Sequence, residues 1–251
     1  QGSAAARGED PARAPRLRPA VSPAGRAPLA LLVAALVLLG GCTSGRTPDR
    51  AATPKQRLAH AATALDRTTG VRIALTTTDL PDGVSGLLAA RGVGTPAPAF
   101  RGELTVAAGG SQVKVPVISV DGKVHAQLPF TDTYLTVDPA QYNAPDPAEL
   151  MAPRTGLSSL VRSASKLTAG KRVRDGKVVL TELRGVVPGA AVARVLPSSD
   201  PAADFRATFA LDDRDRLVRA TIRGPFYPQA PDVTYTLTFT DYGSTPRITA
   251  P

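Results

Sequence analysis

Cys42 is the only cysteine among the 251 residues, and it directly follows an apolar segment, residues 29–39, and two glycines. A single thiol excludes an internal disulfide and any metal site built from several thiolates. As a helix, eleven apolar residues rise about 16 Å, short of the roughly 30 Å hydrocarbon core, so a permanent membrane span is not expected. Arg26 supplies a positive flank, and this pattern predicts a secretory signal that is cut at the small residues.

The tetrad Leu39-Gly40-Gly41-Cys42 resembles the lipobox of bacterial lipoproteins. The resemblance implies that the Cys42 sulfur carries a diacylglycerol, that the chain is cut before Cys42, and that the new amino group is acylated. Several acyl chains, at about 0.8 kcal/mol per buried methylene, make such an anchor durable. We therefore expect the protein on the extracytoplasmic face of the cell membrane. Apart from the covalent lipid on Cys42, no cofactor is expected. An ordinary signal peptide with an incidental cysteine is the alternative.

The other residues that could do chemistry lack suitable partners in the sequence. His60 and His125 stand among polar neighbours, with no recognisable carboxylate or second ligand near either. The serines at 158 and 159 lack the Gly-x-Ser-x-Gly elbow of esterases. The aspartates at 212, 213 and 215 lack the glycine and the twelfth-position glutamate of a calcium loop, so a hairpin turn is the simpler interpretation. We therefore predict neither an enzyme nor a metal site.

The formal charge of +9 at pH 7 allows a weak attraction to anionic lipid headgroups. Lys and Arg are interpreted as single residues spread between strands, without a basic run or interleaved aromatic residues. Nucleic acid is therefore not an expected partner.

The elements that must position these residues follow from hydrophobic periodicity. Helices are predicted over 54–70, over the centre of the chain at 146–170, where apolar residues recur at 157, 160, 161, 164 and 167, and over 188–198. Alternation with a period of two predicts strands at 71–78, 100–108, 111–119, 123–130, 177–185, 204–212, 216–224 and 233–243. Glycine turns at 109–110, 121–122 and 175–176 make neighbouring strands antiparallel.

Alternation means that one face of the sheet is apolar and the other faces water. Since the helices come before the first strand and between two groups of strands, we expect them to cover the apolar face. The predicted class is α+β, a strongly curved antiparallel sheet with helices on its concave face. The predicted organisation is an upstream coil and removed signal at 1–41, a lipidated tether at 42–53, and a single domain at 54–251.

A family resemblance rests on Asp146-Pro147-Ala148-Glu149-Leu150, followed by Pro153 and Thr155-Gly156-Leu157. The Gly110-Ser111 turn, the segment ISVDGKVHAQL at 118–128 and the helix at 186–197 support it. These stretches resemble the LppX/LprA/LprF/LprG lipoproteins of mycobacteria and related actinobacteria, with LprG as the expected closest member. The resemblance covers residues from about 54 to the end of the chain.

This resemblance implies a half-barrel sheet closed by helices over a hydrophobic cavity. The cavity would bind the acyl chains of triacylated lipids or glycolipids on their way to the outer envelope. Implied partners are the lipid ligand, the cytoplasmic membrane through the anchor, and, as a candidate, an efflux-type transporter. The expected lining residues are Leu104, Val106, Val115, Val117, Val124, Leu128, Leu160, Val161, Leu237 and Phe239.

Two features of the sequence each allow an alternative interpretation. Each lining residue could equally belong to a filled core, which would make the protein an anchored adaptor that presents its surface to an envelope protein. Residues 79–100 are apolar, rich in glycine and longer than the family pattern. They are interpreted either as a mobile flap at the cavity mouth or as a surface loop with a short helix over 84–90.

Overall fold

The alternating segments form one antiparallel sheet of eleven strands. The structure is a computed structural model, and it describes residues 52–251. The predicted signal, Cys42 and nearly all of the predicted tether lie outside the described residues. The strands are β1 Val71–Thr76, β2 Gly86–Thr95, β3 Ala99–Ala108, β4 Ser111–Val120, β5 Lys123–Ala126, β6 Leu135–Val137, β7 Ser165–Asp175, β8 Val178–Pro188, β9 Asp204–Leu211, β10 Leu217–Gly224 and β11 Val233–Thr240.

The strand order is β6-β5-β4-β3-β2-β1-β11-β10-β9-β8-β7. Every neighbouring pair is consecutive in sequence except β1 and β11, which meet in the middle of the sheet with Arg72 opposite Thr240. The sheet is curved and not closed, so β6 and β7 are its two free edges.

One continuous apolar face follows from the register. Leu75 lies opposite both Leu237 and Ala90. Ala90 lies opposite Leu104, and Leu104 lies opposite Val115. Because directly paired residues point to the same side of an antiparallel sheet, these side chains share a face, which we call the apolar face.

Three α-helices lie on this face: α1 Pro54–Arg67, α2 Leu157–Ser163 and α3 Gly189–Val195. Short 3-10 helices span Pro139–Tyr142 and Glu149–Met151. Thr53 and Gln56 form a capping box at the start of α1, which satisfies backbone N–H groups of the first turn. The α-helices pack against β7, β8 and β10, and their apolar side chains join those of β9 and β11 in the main core. The predicted α+β class is confirmed.

The central helix is shorter than the sequence predicts. It ends at Ser163, and residues 165–175 continue as strand β7. The Ser163 hydroxyl donates to the Leu160 carbonyl, a local bond that competes with helix continuation. Leu167, which fits the helical spacing, instead lies against Gly185 of the adjacent strand.

Residues 86–95, predicted as part of a flap or a loop with a short helix, form strand β2. Glycine is unfavourable in strands except where another group approaches closely. Here a Cβ on Gly92 would lie 2.5 Å from the Phe100 ring, and a Cβ on Gly94 would lie 2.5 Å from Met151. The glycines therefore make room for two large side chains, which is why these two positions of the strand carry no side chain of their own.

Among residues 52–251, no helix has the length and apolar character needed to cross a bilayer.

Candidate functional site

The helices leave half of the apolar face uncovered. On β3 and β4, Leu104, Val106, Val113 and Val115 are half-buried, although they point to the same side as the fully buried Phe209 of the covered half. We call the apolar face of β2–β6 the open half. Met151, in a short 3-10 helix, covers the end of this half at Gly94.

Six of the ten predicted lining residues lie on the open half. Its small core is formed by Val117, Val124 and Ala126, and the half-buried side chains of Leu104, Val115, Leu128 and Val137 pack against it. Val106 extends the same surface, because it is two residues beyond Leu104 and lies opposite Val113. The structure therefore brings these six side chains onto one side of four consecutive segments.

The remaining four predicted residues are elsewhere. Leu160 and Val161 of α2, and Leu237 and Phe239 of β11, are buried in the main core, each less than 8% exposed. The core between the helices and β7–β11 is filled by side chains such as Phe205, Phe209 and Leu211, which are fully buried. The ten predicted residues therefore lie in two places, six on the open half and four in the main core.

Two of the cavities in the described part of the chain lie away from these residues. One, of about 10 Å³, is between Leu65 of α1 and Ser158 of α2. The other, of about 500 Å³, lies between the β1–β2 loop and the β3–β4 turn. Its strand residues Thr76, Ala89 and Thr105 are mutually paired and point to the side opposite Leu104. None of the predicted lining residues contributes to either cavity.

A closed cycle of three hydrogen bonds lies at one end of the open half. The Leu87 N–H donates to the Tyr227 hydroxyl over 3.1 Å, and the Tyr235 hydroxyl donates to the Leu87 carbonyl over 2.7 Å. The two phenol oxygens are 2.7 Å apart. Burial, and then the neighbouring Tyr227, raise the pKa of Tyr235 far above its usual value, so the hydroxyl keeps its proton.

The β1–β2 loop is held beside this cycle by Asp79. Its carboxylate accepts the Thr234 N–H of β11 over 2.8 Å and the Thr77 hydroxyl over 2.7 Å. Burial raises the pKa of Asp79, but these hydrogen bonds to the charged form outweigh it and the net direction is downward. The loop, for which a mobile flap was one of two interpretations, is therefore tied to the centre of the sheet at this point.

The Asp146 motif positions the segment that leads to α2. The Asp146 carboxylate accepts hydrogen bonds from the buried Ser119 hydroxyl of β4 and from the Ala148 N–H. A Cβ on Gly156 would collide with the backbone of Leu150. The motif thus fastens the chain to β4 and permits a close turn just before α2.

The two histidines and the turn aspartates lie on different elements of the described structure. His60 is exposed on α1, and His125 lies beside the Thr136 hydroxyl at 3.4 Å. Asp212, in the β9–β10 turn, accepts the N–H groups of Arg214 and Arg216. Within residues 52–251, no three His, Cys, Asp or Glu side chains are grouped in a way that could hold a metal ion.

Sequence reasoning missed part of the open half. Leu87 and Val137 lie on it but were not predicted. Val113 fitted the alternation and could have been included on that signal alone. Leu87 could not have been identified from alternation, because a β-bulge between Leu87 and Ala89 shifts the register of β2.

The chain is similar to known lipoproteins both in sequence and in fold. The family model described as LppX_LprAFG lipoprotein matches residues 53–245. The structure of LprF from Mycobacterium bovis is similar with a TM-score of 0.65 and 16% identity, covering 79% of this chain and 96% of that one. The lipoprotein LppX of Mycobacterium tuberculosis is similar with a TM-score of 0.57 and 18% identity, covering 78% and 98%.

No curated protein sequence matches the chain. The two structures share the fold, and the expected closeness to LprG stays a prediction. The family model, in contrast, covers most of the chain, including α1, the whole sheet and the Asp146 motif. The chain belongs to the LppX/LprA/LprF/LprG family of lipoproteins.

Proposed function

We propose that this protein binds the acyl chains of lipids or glycolipids on the open half and carries them toward the outer cell envelope. It does so without catalysis, while anchored to the extracytoplasmic face of the cytoplasmic membrane through acylated Cys42. The observation that carries this proposal is the row of half-buried apolar side chains on β3 and β4, which the three α-helices leave uncovered.

A lipid that moves through water must expose its acyl chains, which costs free energy. Transferring one sixteen-carbon chain from a bilayer into water costs about 12 kcal/mol, from about 0.8 kcal/mol per methylene. A carrier offsets this cost when it offers apolar surface that is not already filled by its own side chains. Leu104, Val106, Val113 and Val115 provide such surface, while the core under the helices does not.

The test is binding of a fluorescent fatty-acyl probe to the purified, delipidated full chain. Leu104→Trp fills the middle of the open half and should weaken probe binding at least about tenfold, since one blocked segment removes several methylene contacts. Thr105→Trp is the matched control, because Thr105 is the next residue of β3 and points to the opposite side, beside the 500 Å³ cavity.

The proposal predicts that Thr105→Trp binds the probe like the unmodified chain. Weaker binding by Thr105→Trp alone would place the ligand in that cavity and contradict the proposal. Circular dichroism of both variants separates loss of binding from loss of folding.

A second candidate function is an anchored adaptor without lipid cargo, favoured by the filled core beneath the helices. Mass spectrometry of organic extracts of the purified protein distinguishes the two, because a covalent anchor stays on the chain while bound lipid is extracted. Acyl lipids that disappear from the Leu104→Trp extract support the carrier. An extract without lipid, together with equal probe binding by all variants, supports the adaptor.

A further inference from the structure

The β7–β8 hairpin concentrates positive charge at one edge of the sheet. Four exposed cations, Lys171, Arg172, Arg174 and Lys177, fall within seven residues that contain one carboxylate, Asp175. The interpretation of Lys and Arg as single residues between strands, without a basic run, is therefore wrong for this hairpin. Lys171, Arg172 and Arg174 lie on β7, a free edge strand with no neighbouring strand on its outer side, and Lys177 lies in the turn that follows.

These four cations are not neutralised within the described residues. No ion pair there involves any of them, whereas Asp175 is already paired with Arg219 at 2.8 Å. Other cations of the same two strands are paired, Lys166 with Asp204 and Arg184 with Glu182. The tip of the hairpin thus presents a cluster of free positive charge.

Two apolar side chains are exposed beside this charge. Val178 is 52% exposed and Val179 is 39% exposed, which makes them two of the five large apolar residues that the structure exposes. Cations next to exposed valines suit the boundary of an anionic bilayer, where headgroups take the charge and the acyl boundary takes the methyl groups. A nucleic acid would instead favour aromatic side chains among the cations, and the hairpin has none.

The hairpin tip lies at the end of the sheet where α1 begins. Strand β8 runs back from the tip and pairs Thr181 with Leu211, so the tip and the β9–β10 turn share one end. In that turn, Asp215 binds Arg57 of the first helical turn at 2.6 Å. The predicted tether joins α1 at this same end, and the eleven residues between Cys42 and Pro54 reach at most about 40 Å.

We propose that the β7–β8 hairpin docks onto the anionic surface of the membrane that holds the lipid anchor, which fixes the orientation of the domain. This inference rests on the proposed anchorage through Cys42. The tether raises the effective concentration of headgroups at the hairpin, so a contact that is weak alone becomes populated. Asp213 is the carboxylate of the neighbouring β9–β10 turn that opposes the contact, because Asp212 and Asp215 of that turn are paired with Arg216 and Arg57.

The test uses the acylated full-length mature chain in vesicles. Since Cys42 is the only native cysteine and is blocked by its lipid, Val178→Cys can be labelled uniquely with a fluorophore sensitive to its surroundings. Ser111→Cys is the matched control, an exposed residue at the opposite end of the sheet. Nitroxide headgroup lipids in vesicles with one-third phosphatidylglycerol should quench position 178 at least about threefold more than position 111.

The quenching difference should vanish in about 0.5 M NaCl, in pure phosphatidylcholine, and when Lys171, Arg172 and Arg174 are all changed to Gln. A charge-matched control, with Lys114, Arg194 and Arg247 changed to Gln, should retain it, since Lys114 and Arg194 lie toward the other end of the sheet. Equal quenching at 178 and 111, or persistence after the hairpin charges are removed, would overturn the docking and leave acidic protein surfaces as the target. Failure of the chain to enter vesicles at all would instead refute the anchorage.

Discussion

Tyr235 of β11 donates a hydrogen bond to the Leu87 carbonyl of β2 over 2.7 Å, although β1 lies between the two strands. The bond passes beyond the end of β1 at Thr76 and joins the open half directly to the covered half. Tyr227 completes the cycle, and its ring occupies the space beside Gly86. The position of β2 against the helical half therefore depends on two phenols rather than on the strand ladder alone.

Replacing Tyr235 with Phe should lower the free energy of unfolding by about 1–3 kcal/mol, because the Leu87 carbonyl and the Tyr227 hydroxyl would each lose a partner in a half-buried place. Urea unfolding monitored by circular dichroism measures this. Tyr142→Phe is the control, since Tyr142 is 68% exposed. Equal stability of the two variants would contradict a structural role for the cycle.

Asp66 should make stability depend on acidity. Burial raises the pKa of Asp66, but hydrogen bonds from Ser158, Arg162 and the Arg154 N–H, with the Arg162 charge, lower it overall. The carboxylate therefore stabilises the fold at pH values above the unfolded pKa of about 3.9, and this contribution is lost as pH falls through the lower folded value. Its partners belong to α2 and the turn before it, so the bonds join α1 to α2.

The measurement compares Asp66→Asn with the unmodified chain by urea unfolding at two pH values. At pH 7 the variant should be less stable by about 1–2 kcal/mol, and near pH 2 the difference should shrink toward zero. Asp82→Asn, which changes an exposed carboxylate of the β1–β2 loop, should show no such pH dependence. A constant difference between Asp66→Asn and the unmodified chain would refute the assignment.

Replacing a leucine with alanine should lower the free energy of unfolding by different amounts on the two halves of the apolar face. Leu183 of β8 is 1% exposed in the main core, so Leu183→Ala should destabilise the fold by about 3–4 kcal/mol. Leu104 is half-buried on the open half, and Leu104→Ala should cost about 1–2 kcal/mol. Denaturant unfolding of both variants gives the comparison. A larger loss at Leu104 would mean that the open half is ordinary core.

Cys42 should be the site of acylation. Cys42→Ala should abolish both the cut before this residue and the lipid mass on the chain, since the thiol is the group that takes the diacylglycerol. Intact-mass spectrometry of the membrane fraction measures both. Gly41→Ala keeps a small residue before the cut and should be processed normally. Processing of Cys42→Ala at the usual position would indicate an ordinary signal peptide.

Strands with regular alternation were predictable from sequence because the apolar face imposes its period on each of them. Val233, Tyr235 and Leu237 illustrate this, and β11 lies close to its predicted position. Strand β2 was not predictable, since its glycines are explained by Phe100 of the next strand and by the distant Met151. The local sequence of a strand does not show which side chain from another segment will pack against it.

The candidate surface was predictable only in part for a related reason. Leu104 and Leu237 have the same alternation, and register places them on the same face. What separates the half-buried apolar surface from the filled core is the placement of the three α-helices over β7–β11. That placement depends on packing between α1, α2 and α3, which periodicity within each segment does not reveal.

The pairing of β1 with β11 has a consequence for biosynthesis. β1 is the first described strand to be synthesised, and it pairs in the middle of the sheet with β11, the last one, with Ile73 opposite Phe239. A chain is made and exported from its amino terminus. Strands β1–β6 and strands β7–β11 can therefore each form a separate antiparallel meander before β1 pairs with β11. Completion of the native topology is thus a late, long-range event, and truncations near the carboxyl terminus should split the molecule at its midline.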